Sequence, residues 1–177
     1  MNSTLNLQPS TLAFVALGSN LGDSQNIVHD AGLLLEQFSD EPAWMSSLWQ
    51  TSPVDCPPGS PKFVNAVIGF VPHAEETPET LLGKLHSLEK EFGRAPKQVL
   101  NEPRPLDLDL IMFGAENRSS ALLTLPHPRA HTRRFVLQPL SEIAPDLILP
   151  GQTLKVAQLL AKLPAGEVCE KIGHAAA

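Results

Sequence analysis

The chain has 177 residues, 18% of them charged, and a formal net charge of −6. This length fits one domain with a single core. The acidic balance argues against a general nucleic-acid binder, which usually needs a basic face. No apolar run approaches the ~18 residues that cross a membrane, and residues 1–10 lack the pattern of a secretory signal. We therefore expect a cytoplasmic protein without nucleic-acid or membrane partners. We also expect a monomer, although none of these observations determines the oligomeric state.

The domain is expected to cover residues 11–172, after a flexible N-terminal segment at residues 1–10. Cys56 and Cys169 are too far apart in the sequence to form a metal knuckle, and reduced thiols are expected. Proline is the compositional outlier: there are 17 prolines, roughly twice the usual share of ~5%. Most of them lie between residues 42 and 150, so they belong to the folded body.

The first half of the domain alternates strands and helices. A short apolar run at residues 12–17 predicts a strand that ends in a tight turn. Helical spacing follows from Ser24, with Asp23 or Ser24 as the cap. Residues 45–51 predict a second strand, and four prolines in residues 52–61 require a loop there.

The second half repeats this order. Residues 63–71 predict a strand, Thr77 caps a helix that Gly93 ends, residues 94–105 form a loop, and residues 106–113 return to strand. The order β-α-β-β-α-β predicts an α+β fold of the ferredoxin-like sandwich type. A C-terminal extension is expected to add a short strand at residues 122–125 and helices at residues 133–137 and 153–163.

Two aspartates occupy alternate positions of the last strand. Asp107 and Asp109 therefore share one face, with Cα atoms ~6.6 Å apart, while Leu106, Leu108 and Leu110 point to the other. Carboxylates this close repel each other and attract divalent cations, and hard oxygen ligands suit Mg²⁺. The alternative is the solvated outer face of an amphipathic strand.

A basic segment follows the strand. His127, Arg129, His131, Arg133 and Arg134 fall within eight residues of an otherwise acidic protein. Arginine favours planar recognition of phosphate, so a basic loop beside a metal-binding pair would suit a polyphosphate. A solvated surface is the alternative.

Other sequence signals are weaker. No P-loop motif is present, and residues 18–22 (GSNLG) indicate turn chemistry instead of a dinucleotide fingerprint. His29 and His73 stand apart from any chemical cluster and are expected to be surface or capping residues. His86 shares a helix face with Glu89, three residues later.

Four separated motifs resemble one family. They are FVALGSNLG from Phe14, TSPV from Thr51 with FVNA from Phe63, PRPLDLDL from Pro103, and PHPRAH from Pro126 with FVLQPL from Phe135. Together they resemble the 6-hydroxymethyl-7,8-dihydropterin pyrophosphokinases, in order and spacing, over residues 12–151. The resemblance implies transfer of pyrophosphate from ATP to the hydroxymethyl group of the pterin, with release of AMP, in folate biosynthesis.

The same resemblance implies roles for individual residues. Asp107 and Asp109 would hold two Mg²⁺ ions on the triphosphate and, with Arg94 and Arg104, form the catalytic set. Phe63 and Phe135 would sandwich the pterin, although core packing would otherwise explain them. The remaining implied sites are His86, Glu89, Leu110, His127 and Arg133 for ATP, and Thr51, Val54 and Asn65 for pterin.

The chain departs from the family pattern in the loop of residues 94–102. Pro96, Leu100, Asn101 and Glu102 stand where relatives commonly carry arginine, an arginine and aromatic pair, and a small residue. Lys97 would supply a substitute charge, and Glu102 would place negative charge beside the triphosphate. A slow or non-catalytic pterin- or nucleotide-binding paralogue is therefore the alternative. A metal-dependent transferase for sugar nucleotides is a third, which leaves Asn65 unexplained.

Overall fold

The backbone is built around one antiparallel sheet flanked by helices. A computed structural model describes residues 12–173. Its strands are β1 (Ala13–Ser19), β2 (Trp44–Met45), β3 (Leu48–Thr51), β4 (Phe63–Phe70), β5 (Asp107–Phe113), β6 (Arg118–Ser119), β7 (Thr124–Leu125) and β8 (Cys169–Gly173). Its helices are α1 (Ser24–Leu35), α2 (Pro78–Glu91), α3 (Arg134–Ile143) and α4 (Val156–Lys162), with short 3₁₀ turns at Glu36–Phe38 and Ala130–Thr132.

The main sheet has the order β5-β1-β4-β3-β8, and β2 pairs with β4 beside β3. Every pairing in it is antiparallel. β6 and β7 form a separate two-stranded hairpin. The structure therefore confirms a mixed fold of helices on an antiparallel sheet.

Apolar side chains cover both faces of the sheet, so there are two cores. Helices α1 and α2 pack on one face through residues such as Leu35 and Leu85, against Val15 and Leu108. On the other face, α3 and α4 pack against residues such as Phe14. The alternation of β5 puts its leucines in the first core and turns Asp107 and Asp109 to the opposite face.

The predicted starts of α1 and α2 are confirmed. The Asp23 carboxylate accepts the backbone N–H of Asn26 at the start of α1. At the start of α2, Thr77 and Thr80 exchange side-chain and backbone hydrogen bonds as a capping box. These caps satisfy amide groups that have no partner within the helix.

Several elements differ from the prediction. The strand expected at residues 45–51 is divided, because Ser47 turns its backbone N–H and hydroxyl to Glu142 of α3, at 3.0 and 2.6 Å. Helix α3 is longer than predicted and contains Pro139, whereas α4 is shorter. Strand β8 was not predicted, and it closes the sheet beside β3. The predicted flexible segment at residues 1–10 lies outside the described residues.

No helix within residues 12–173 is long and apolar enough to span a bilayer.

Candidate active site

A cleft of about 460 Å³ lies at the end of the sheet where β1 finishes and β5 begins. Two proline-rich loops wall it: loop A, residues 52–62, and loop B, residues 92–106. The loop ahead of α3 contributes basic side chains. The predicted site residues that line the cleft are Thr51, Val54, Phe63, Asn65, Arg94, Arg104, Asp107, Asp109, His127, Arg133 and Phe135.

Asp107 forms ion pairs with two arginines of loop B. One carboxylate oxygen accepts Arg94 Nη1 at 2.6 Å, and the other accepts Arg104 Nη2 at 2.8 Å. Burial raises the pKa of this carboxyl group, but the charges of Arg104 and Arg94 outweigh burial and hold the pKa below its usual range. The Asp107 carboxylate is therefore ionised, and the two arginines balance its negative charge.

Asp109 has the opposite electrostatic setting. Within residues 12–173 its carboxylate accepts no hydrogen bond and joins no ion pair, unlike that of Asp107. Burial, followed by the charge of Asp107, raises the pKa of Asp109 to about 6, although Arg133 opposes this. The two neighbouring carboxylates thus differ: one is balanced, and the other still attracts positive charge.

Glu89, on helix α2, contacts the segment of β5 that carries this pair. Its side chain is buried, and its Oε1 accepts the backbone N–H of Leu108 at 2.8 Å and an Arg94 N–H. Burial raises the pKa of Glu89 to about 7. Glu89 therefore fixes the segment of β5 between the aspartates, and it lies outside the lining of the cleft.

The basic side of the cleft contains His127, Arg129 and Arg133. Burial and the charges of Arg133 and Arg129 lower the pKa of His127 to about 4, so the imidazole is neutral near pH 7. The guanidinium of Arg133 lies 5.3 Å from the ring centroid of Phe135. A concentration of positive charge that lowers the pKa of its own members is suited to an anionic ligand.

The opposite wall is apolar with one buried polar pair. Asn65 Nδ2 donates to Thr51 Oγ1 at 2.6 Å, and both side chains are buried. This bond sets the orientation of the Asn65 amide. The ring of Phe63 lies beside it, with the Arg104 guanidinium 5.3 Å from the ring centroid. The wall can therefore hold a flat, polar-edged ligand.

Three predicted ATP-binding residues do not line the cleft. His86 is exposed on α2, and Leu110 is buried in the core beneath α1 and α2. Glu89 is the third, as described above. Their nucleotide roles stay predictions.

The cleft also contains residues that the predicted site omitted. Arg129 and Lys97 add positive charge, and Asp55, Asn101 and Glu102 line the loops. The high proline content of loops A and B was the sequence signal that could have indicated that these loops line a site. Glu102 does not simply face the cleft, since its carboxylate accepts the backbone N–H groups of Gln98 and Val99 at 2.9 and 3.2 Å.

Fold and cleft together define an α+β protein whose site pairs strand carboxylates with loop arginines, an arrangement suited to a polyphosphate that carries cations. Residues 14–145 match the family model of 7,8-dihydro-6-hydroxymethylpterin-pyrophosphokinase (HPPK). The chain therefore belongs to the HPPK family.

Individual relatives agree with this assignment. The chain is 38% identical over 143 residues to 2-amino-4-hydroxy-6-hydroxymethyldihydropteridine pyrophosphokinase of Haemophilus influenzae, covering 80% of the chain and 87% of the relative. The protein of that name from Bacillus subtilis is 36% identical, over 76% of the chain and 78% of the relative. An Arabidopsis thaliana folate synthesis bifunctional protein is 37% identical over 73% of the chain, which spans only 26% of that longer protein.

A solved structure of HPPK-DHPS in complex with substrates shares the fold, with a TM-score of 0.65 at 11% identity. The match covers 87% of this chain and 43% of that one.

Proposed function

We propose that this chain transfers pyrophosphate from ATP to the hydroxymethyl group of 6-hydroxymethyl-7,8-dihydropterin and releases AMP, as a step of folate biosynthesis. Membership of the HPPK family supports the activity. The observation that carries the proposal is one cleft that joins the Asp107 and Asp109 face of β5, the loop arginines and the Thr51–Asn65 pair.

In the proposed reaction, the pterin hydroxyl oxygen forms a bond to the β-phosphorus of ATP. The bond from that phosphorus to the oxygen it shares with the α-phosphorus breaks, AMP leaves, and the hydroxyl proton is released to solvent. Arg94 and Arg104 pair with Asp107 and line the cleft between its acidic face and its apolar wall. In the proposed reaction they would stabilise negative charge that develops on the transferred group.

We propose Mg²⁺ as the cofactor, with two ions held by Asp107, Asp109 and the triphosphate. The donors fit, because carboxylate oxygens are the hard ligands that Mg²⁺ takes in ones and twos. Within residues 12–173 no cluster of three His, Cys, Asp or Glu side chains could hold a metal by itself. Phosphate and water oxygens would therefore complete the coordination, and the ions would neutralise the triphosphate.

Metal binding would favour a rearrangement of loop B. Each carboxylate oxygen of Asp107 accepts one arginine N–H and keeps a second lone pair for a metal ion. The two guanidinium charges would repel a cation there, so departure of Arg94 or Arg104 from Asp107 would strengthen metal binding. The freed guanidinium would then lie near the phosphates, which prefer planar, two-point donors.

The pterin would lie against the apolar wall, with the Asn65 amide at its polar edge. Nδ2 of Asn65 donates one of its two hydrogens to Thr51, so the amide oxygen and the second N–H would be available to the ligand. Phe63 and Phe135 each lie beneath an arginine, Arg104 and Arg133 respectively. Stacking of the pterin between these rings would need the guanidinium groups to move aside.

A slow or non-catalytic binding paralogue is the second candidate, and loop B favours it. Leu100 is 70% exposed at the loop tip, and Asn101 donates to the backbone carbonyl of Asp55 in loop A at 2.7 Å. These residues replace an arginine and an aromatic side chain that would otherwise face the nucleotide. Weaker closure would reduce the rate more than the binding.

Product analysis separates the two candidates. Purified protein with ATP, Mg²⁺ and the hydroxymethyl pterin should release AMP in step with pterin consumption, and no ADP. Omission of pterin is the control. Tight binding of both substrates by calorimetry without AMP above that control would favour the paralogue.

We also infer a ferredoxin-like core for β1, α1, β3, β4, α2 and β5, extended by α3, α4 and β8. The order β5-β1-β4-β3 and the placement of α1 and α2 on one face support this. A monomeric, cytoplasmic protein remains our expectation, and light scattering would test the oligomeric state.

A further inference from the structure

Asn20 follows β1 directly, and the proposed reaction gives it no role. Its side chain is polar and only 3% exposed, and it does not line the cleft. A buried amide must satisfy its own donors and acceptors, so its partners show what it holds in place.

Those partners are the ends of both walls of the cleft. Asn20 Oδ1 accepts the backbone N–H of Arg104 in loop B at 2.9 Å, and the backbone N–H of Asn20 donates to the Arg104 carbonyl at 3.2 Å. Asn20 Nδ2 donates to the carbonyl of Pro61 in loop A at 3.3 Å. One side chain therefore joins the two loops where each returns to the sheet.

Each joined residue leads directly to a part of the site. Arg104 bonds Asp107 through its side chain, and Pro61 lies two residues before Phe63. Arg104 also covers the Phe63 ring. A shift of Asn20 would move the arginine and acidic side of the cleft relative to the apolar wall.

We propose that Asn20 is a positioning residue for the reaction inferred above, on which this proposal rests. Its Oδ1 fixes the backbone of Arg104 on the phosphate side, and its Nδ2 fixes Pro61 on the pterin side. The two halves of one amide thus set the spacing between the two substrates. Misplacement of reacting groups by about 1 Å can cost about 10²-fold in rate, so such spacing matters for turnover.

Two substitutions separate the two anchors. Asn20→Asp keeps the acceptor for the Arg104 N–H and loses the donor to Pro61. We expect its KM for pterin to rise about tenfold, the upper end of the effect of one hydrogen bond, with kcat within about threefold of the wild type. Asn20→Ala loses both anchors, and its kcat should fall at least about tenfold as well.

Asn117→Asp is the matched control. Asn117 is exposed, its Nδ2 donates to the Ala115 carbonyl at 3.1 Å, and it lies outside loops A and B and outside the cleft lining. The same chemical change there should leave kcat and both KM values at wild-type levels. Wild-type kinetics in either Asn20 variant would overturn the proposal, and so would equal losses in both variants that track the loss of thermal stability.

Amide hydrogen exchange in the ligand-free protein gives a readout without catalysis. The Arg104 amide should exchange at least about tenfold faster in Asn20→Ala and stay protected in Asn20→Asp. Unchanged protection in Asn20→Ala would overturn the anchoring. If the wild type and Asn117→Asp release no AMP, the proposed function fails instead, and the exchange pattern still decides whether Asn20 holds loop B.

Discussion

Asp107 and Asp109 should respond in opposite ways to removal of their charge. Asp107→Asn deletes the charge that balances Arg94 and Arg104, whereas Asp109→Asn deletes a carboxylate that burial and Asp107 already disfavour. Both substitutions remove a predicted metal ligand. The two variants should therefore differ in their free energy of unfolding but lose activity to a similar extent.

The magnitudes follow from the contacts. Asp107→Asn weakens two charge-assisted hydrogen bonds, and we expect a loss of about 2 kcal/mol in the free energy of unfolding. The pKa of Asp109 is raised from 3.8 to about 6 in the folded state, so its ionisation opposes folding increasingly as the pH rises between these two values, and fully above pH 6. At about 1.4 kcal/mol per pKa unit, Asp109→Asn should gain about 3 kcal/mol at pH 8 and less than about 1 kcal/mol at pH 4.

Urea denaturation at both pH values measures the stability, and AMP release measures the activity, which should fall at least 10²-fold in both variants. Asp146→Asn is the control: Asp146 pairs with Lys155 at 2.8 Å on the surface, with its side chain 83% exposed. That change should cost less than about 1 kcal/mol and leave turnover unchanged. Equal stability losses in Asp107→Asn and Asp109→Asn would refute the reasoning.

Three further tests address other parts of the molecule. His127, whose pKa is lowered to about 4, should take up a proton when a polyphosphate binds, so nucleotide affinity should rise as the pH falls from 7 towards 5 at a fixed metal concentration. Calorimetry in buffers of different ionisation enthalpy would detect the proton uptake, and His127→Gln should abolish it. Glu142→Gln should lower the free energy of unfolding by about 1 to 3 kcal/mol, because Glu142 accepts hydrogen bonds from Ser47 and from the Trp49 indole at 3.1 Å. Trp49 fluorescence during unfolding would report the change, and the folded variant should keep its turnover. Cys56 lines the cleft while burial raises the pKa of Cys169 to about 11, so a maleimide should label Cys56 first and ATP with pterin should slow that labelling; preferential labelling of Cys169 would contradict the assignment.

The sequence predicts the sheet and its acidic face well because both depend on local patterns. Alternation in residues 106–113 places Asp107 and Asp109 on the face opposite the core leucines, as the structure confirms. The caps at Asp23 and Thr77 are equally local. Such signals need only neighbouring residues, so no tertiary contact is required to read them.

Features that depend on distant contacts were beyond the sequence patterns. Strand β8 forms because β3 offers a free edge, 118 positions earlier at Thr51↔Cys169, and its own residues carry little strand signal. The pairing of Asp107 with Arg94 and Arg104 depends on how loop B folds back so that both arginines reach the start of β5. The role of Glu102 in holding the loop tip likewise depends on the loop conformation.

Loops A and B contain seven prolines between them, at positions 53, 57, 58, 61, 96, 103 and 105. Each proline fixes one backbone dihedral angle and removes about 0.4 to 1 kcal/mol of conformational freedom from the chain at a compatible position. Walls of this kind lose little entropy when a ligand orders them. Substrate binding should therefore proceed with a small entropic penalty. The four loop A prolines do not line the cleft, so replacing them with alanine should weaken affinity through entropy while the lining side chains are kept.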